Sequence, residues 1–170
     1  MKRLGWIMVL GLAVAGCART PAPNTPGLGA DAVTSIEYTT GPCFGACPVY
    51  HFSISSDGTG TFEGRKHTSV TGTRQFRLTR VEYDRFVAAL SRFRPAPETE
   101  REIVPGKPEC KVAATDLPSV ELRWEYADAR TSRLDYYFGC DMEANRAMAD
   151  AIGNAPDLIP ALAPLIGERP

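Results

Sequence analysis

Basic residues are in no excess along this chain: 19 Lys and Arg face 20 Asp and Glu, for a formal charge of −1. A nucleic-acid surface needs a basic footprint, and this balance supplies none. No apolar run reaches the ~20 residues that a membrane-spanning helix requires. The longest candidate, Leu4 to Ala15, is too short. Hydrolase and nucleotide signatures are missing as well, with no G-x-S-x-G, no H-E-x-x-H and no phosphate-cradling loop. Nor is there an internal repeat. These absences exclude a nucleic-acid partner and leave no cofactor and no catalytic residue to name.

What is present begins at the N-terminus. Lys2 and Arg3 precede the apolar stretch, and Val14-Ala15-Gly16 leads into Cys17. This pattern resembles a bacterial lipobox, in which residues 1–16 are removed as a signal peptide and Cys17 carries the lipid. Losing Lys2 and Arg3 takes the formal charge from −1 to −3. Ala18, rather than an aspartate, follows the lipid cysteine. By resemblance to Gram-negative sorting rules, that places the anchor in the outer membrane, facing the periplasm. Residues 17–33 are rich in proline, glycine and alanine and read as a flexible tether that holds the domain about 20 Å from the bilayer. Residues 34–167 suffice for one domain around a single core.

The text then changes to short alternating runs. Ile36 and Tyr38 share one face, as do Tyr50, Phe52 and Ile54, with His51, Ser53 and Ser55 opposite. Asp57-Gly58 signals a hairpin into T-G-T-F-E-G. The segment TSVTGTRQFRLT suits a third, more exposed strand. Thr79 and Glu82 form a capping box ahead of a helix with Tyr83, Phe86, Val87, Leu90 and Phe93 on one face, stopped by Pro95 and Pro97. Residues 95–118 hold five prolines and read as a long irregular connection. SVELRWEY and TSRLDYYF are two clean strands. A helix from about Met142 to Gly153 and a short proline-punctuated one, LIPALAPLI, follow. The order is three strands, helix, two strands, helix. It predicts an α+β domain with an antiparallel sheet of about five strands and two to three helices on one face.

Four cysteines remain beyond Cys17, and in an oxidising compartment they read as disulfides. Three pairings exist. The tight loop favours Cys43–Cys47, which leaves Cys110–Cys140 to pin the proline-rich connection to the end of the last strand. A working dithiol is the alternative: C-x-x-x-C-P resembles the motif of copper-handling and thiol–disulfide proteins. There the motif opens a helix whose N-terminus lowers the thiol pKa, whereas here a strand follows Pro48. Cys43, Cys47 and His51 could supply two thiolates and an imidazole to Cu(I) or Zn, but His51 points outward in the strand register. His67 reads as a loop residue. Asp116 reads as a turn cap before Pro118, and Trp124, Tyr126, Tyr136 and Phe138 as core. Phe44 and Tyr137 stand out as aromatic residues left for an interaction.

P-C-F-G-A-C-P-V-Y followed by D-G-T-G-T-F-E-G is similar to the signature of a family of uncharacterised bacterial domains. These centre on C-F-G-x-C-P-x-Y and a following D-G hairpin. The resemblance runs from about Ser35 to Ile159 and extends to the capped helix after R-L-T and to D-L-P-S-V-E-L. It implies secretion or lipid anchoring and no assigned activity. Cys110 and Cys140 are extra to that motif, as suits a separate second disulfide. The resulting expectation is a lipid-anchored, non-enzymatic binding or structural module of the cell envelope. Its partners would be the membrane, through Cys17, and an envelope protein or cell-wall component.

Overall fold

The computed structural model describes residues 29–168. The expected signal peptide, the expected lipid on Cys17 and most of the expected tether fall outside the described residues. The strands are β1 Val33–Thr40, β2 Val49–Ser55, β3 Thr59–Lys66, β4 Gly72–Arg77, β5 Glu100–Ile103, β6 Ser119–Tyr126 and β7 Thr131–Tyr137. Helix α1 spans Arg80–Ser91, α2 spans Arg146–Asn154 and the one-turn α3 spans Ala163–Ile166. All seven strands form one open sheet in the order β4-β3-β2-β1-β6-β7-β5.

One face of that sheet is the core. Ile36 opposes Ile54 and Tyr38 opposes Phe52 across β1 and β2, so the alternation of both strands agrees. On the other side of β1, Ile36 opposes Trp124 and Tyr38 opposes Leu122. The helices cover this face: the Phe86 ring of α1 lies 5.8 Å from that of Phe52. The Tyr38 hydroxyl donates to the Ile152 carbonyl of α2 at 2.9 Å. The opposite face carries the polar half of each alternation, including His51, Ser53, Glu121, Arg133 and Asp135.

The architecture is α+β as expected, but the sheet is larger. Four strands precede α1, because TGTFEG and the later GTRQFR are separate strands, β3 and β4, paired antiparallel. Thr68 to Val70 forms the turn between them. A Cβ on Gly64 would collide with the Val70 carbonyl, so only glycine lets that turn fold back. The proline-rich connection is also less irregular than it reads. Glu100–Ile103 forms β5, pairing parallel to β7, with Ile103 opposite Tyr136. The sheet is therefore mixed at one edge.

Helix α2 starts at Arg146 rather than Met142. Before it, the Asp141 carboxylate accepts from the amides of Lys111 and Val112, and that holds residues 141–145 in a turn. The segment 155–166, which ends in LIPALAPLI, is broken into two 3-10 turns and α3, because Pro156, Pro160 and Pro164 each remove an amide and start a new turn. Ile159, Leu162 and Ile166 nonetheless seal the core.

Candidate functional site

The loop between β1 and β2 is built from both ends. Thr40 donates its hydroxyl to the Pro48 carbonyl and accepts from the Tyr50 amide, both at 2.9 Å, tying the loop's start to its exit. The Gly41 amide donates to the Ser119 carbonyl on β6. Inside that frame Cys43 and Cys47 are disulfide-bonded with their Cα atoms 5.7 Å apart. Gly45, between them, has φ of 143°, a conformation that L side chains rarely adopt. Phe44 is thereby pushed outward and is 86% exposed. Its amide donates to the Asp116 carbonyl at 3.1 Å, which joins this loop to the connection before β6.

That connection is strapped down by the second disulfide, Cys110–Cys140, with a Cα separation of 5.1 Å. Ala114 donates to the Gly139 carbonyl and Asp141 to that of Val112. The Tyr137 hydroxyl accepts from the Leu117 amide at 3.2 Å. Tyr137 lies on the polar face as its register requires, but it is half-buried and its hydroxyl serves the strap. Both cystines therefore sit at one end of the sheet. The exposed apolar side chains Phe44, Val112 and Met142 cluster in the segments gathered there.

Beneath the loop is a cleft of about 580 Å³, walled by Cys47, Pro48, Tyr50, Pro118 and Val120 and closed by Phe138 and Gly153. A second hollow of about 590 Å³ shares Phe138 and continues past Leu117 to Met142, Glu143, Arg146, Ala149 and Asp150. The sequence marked the loop and Phe44. It missed Pro118, Gly153 and Asn154 as cleft lining and counted Phe138 as core. The one signal was position: Phe138 follows the last residue of β7, where the alternation leaves the sheet.

The remaining candidates lie elsewhere. His51 holds its Nδ1 2.9 Å from the Thr39 hydroxyl on the polar face. It is not brought together with Cys43 and Cys47, which are bonded to each other. Among the described residues no group of three His, Cys, Asp or Glu is placed to hold a metal ion. His67 is an exposed loop residue with φ of 54°. Asp116 has φ of 71° and accepts a hydrogen bond from the neighbouring Thr115 hydroxyl, so its carboxylate does not cap the turn before Pro118. On the polar face Asp135 accepts an ion pair from Arg133 at 2.8 Å. Burial raises the Asp135 pKa above its ordinary value; Arg133 opposes that shift, and Glu121, Glu102 and Glu100 add to it.

A family model described as Domain of unknown function (DUF6438) matches residues 34–156, and the chain belongs to that family. No curated protein matches the chain.

Proposed function

Starting from a family without an assigned activity, we propose that this chain is a non-enzymatic binding module. A lipid on Cys17 holds it at the cell envelope, and its cystine-braced end meets a protein or cell-wall partner. The observation that carries the reading is the position of Phe44. A large apolar side chain 86% exposed loses the roughly 1.5–3 kcal/mol that burial would give it. Here a disulfide and a glycine hold it outward beside a preformed cleft. Its place in the fold supports the same reading. Gly29 and the segment before it join β1 at Val33, which pairs with Tyr126, whereas the loop leaves β1 after Thr40, which pairs with Val120. Eight strand residues, about 27 Å, separate the start of β1 from the loop, so the loop lies at the end of the domain opposite the one the tether enters.

The test is sedimentation of the labelled full chain with isolated envelope fractions, alongside mass mapping of Cys17. Saturable binding weakened by Phe44→Ser, with a lipid mass on Cys17, is the expected result. Absence of saturable binding, or binding indifferent to Phe44→Ser, contradicts it.

A second reading makes Cys43–Cys47 a working dithiol for thiol exchange or copper handling. It draws on one difference: Cys43 and Cys47 are half-exposed, whereas Cys110 and Cys140 are 8% and 0% exposed. A redox titration separates the readings. A reversible, mild potential favours the dithiol; a structural disulfide resists reduction to below about −300 mV.

A further inference from the structure

We infer that the cystine-braced end holds an extended peptide, with an apolar side chain in the Phe138 cleft and a basic side chain beside Glu143 and Asp150. This deepens the binding role proposed above and rests on it. The argument starts from α2, which has two working faces. Met148 and Ile152 are buried against the sheet. Arg146, Ala149, Asp150, Gly153 and Asn154, at helical spacing, instead line the two hollows that share Phe138. From Arg146 to Asn154 the helix rises about 12 Å, the reach of about four extended residues. Ala149 and Gly153 carry little side chain on this face, and the two hollows adjoin at Phe138 to make a two-part trough along the helix.

The trough has two chemistries. At the loop end, two hydroxyls are already spent within the protein: that of Thr40 serves Pro48 and Tyr50, and that of Tyr38 serves Ile152. What Pro48, Pro118, Val120 and Phe138 leave open is an apolar wall, and an apolar side chain gains most there. At the far end two carboxylates, Glu143 and Asp150, face one guanidinium, Arg146. The surplus negative charge selects a Lys or Arg on the occupant. An extended chain places neighbouring same-side residues about 7 Å apart, so the apolar and basic residues fall two positions from each other. Met142, exposed and apolar, lines the second hollow.

Panning a phage-displayed library of random linear dodecapeptides on the immobilised full chain tests this. Enrichment of peptides carrying an apolar residue two positions from Lys or Arg is the expected outcome. Gly153→Leu should weaken the selected peptides about tenfold or more by filling the cleft. A Cβ there lies 3.4 Å from the Phe138 ring, and leucine is a better helix former than glycine, so the variant keeps the fold. Asp150→Lys, at an exposed position, should shift selection toward acidic residues. No enrichment, enrichment indifferent to Gly153→Leu, or acidic peptides selected by the unaltered chain would each overturn the inference. Envelope sedimentation then tells which reading has failed. Retained Phe44-dependent binding removes only the peptide occupant, and its loss removes the binding surface as well.

Discussion

Thr40 shows how one side chain can set a site. Its hydroxyl bridges the entry and exit of the disulfide loop, and it satisfies the Tyr50 amide that the irregular register there leaves over. Thr40→Val keeps the shape and strands that amide, a loss of about 1–3 kcal/mol. Urea denaturation checks this, and a change within about 0.3 kcal/mol would refute the role. Asp135 supplies the pH response at this scale. Its folded pKa lies above the ordinary value of 3.8, chiefly because burial disfavours its charge. Its contribution to stability is therefore present at low pH and is lost as pH rises from that ordinary value through the raised one. In Asp135→Asn, urea midpoints across that window should fall less with rising pH than those of the unaltered chain. Equal slopes would show that Arg133 cancels the burial. Neither residue announces itself in the sequence. A threonine at a strand end and an aspartate in an alternating strand are ordinary until their neighbours are known.

At the scale of elements, legibility followed local chemistry. Helix α1 was readable because its signals lie within one turn. Thr79 and Glu82 exchange hydrogen bonds in both directions, and those bonds lower the Glu82 pKa. Thr79→Ala should cost about 1 kcal/mol, read from the thermal midpoint. Strands β1, β2, β6 and β7 were readable because one face is buried and the other polar, and the period of two survives intact. Strand β5 was not. It has four residues, three of them charged, among prolines, and its partner β7 lies about thirty residues away. Parallel pairing leaves no hairpin signal. The C-terminal turns were half-legible: the prolines predicted interruption, but only the fold shows that Ile159, Leu162 and Ile166 close the core over β3 and β4. Deleting residues 159–170 removes three buried apolar side chains, roughly 2 kcal/mol each, and should leave the rest unfolded or molten in near-UV circular dichroism.

For the whole molecule the organising fact is polarity along the strands. The end that receives the chain carries hairpins and charges, among them Asp57 and Asp128. The other end gathers both cystines, the cleft, the charged hollow and three of the exposed apolar side chains, Phe44, Val112 and Met142; exposed Val81 lies instead at the start of α1. The tight spacing, the expected oxidising compartment and the strand after Pro48 made a staple of G-P-C-F-G-A-C-P in the sequence. What it could not give was the neighbourhood, because Asp116, Phe138 and Gly153 reach the loop only through the order of the sheet. The same polarity separates the cystines chemically. A small dithiol reductant should open half-exposed Cys43–Cys47 well before buried Cys110–Cys140, as timed alkylation with mass detection would record. Simultaneous opening would mean that the strap is loose.

The central claim is that the cystine-braced end is the binding surface. Site-specific photo-crosslinking in intact cells tests it most directly, with a photoreactive residue placed in turn at Phe44, Val112, Met142, Asp57 and Asp128. The account predicts discrete adducts from the first three positions and none from the last two. Adducts from Asp57 or Asp128, with none from Phe44, would contradict it.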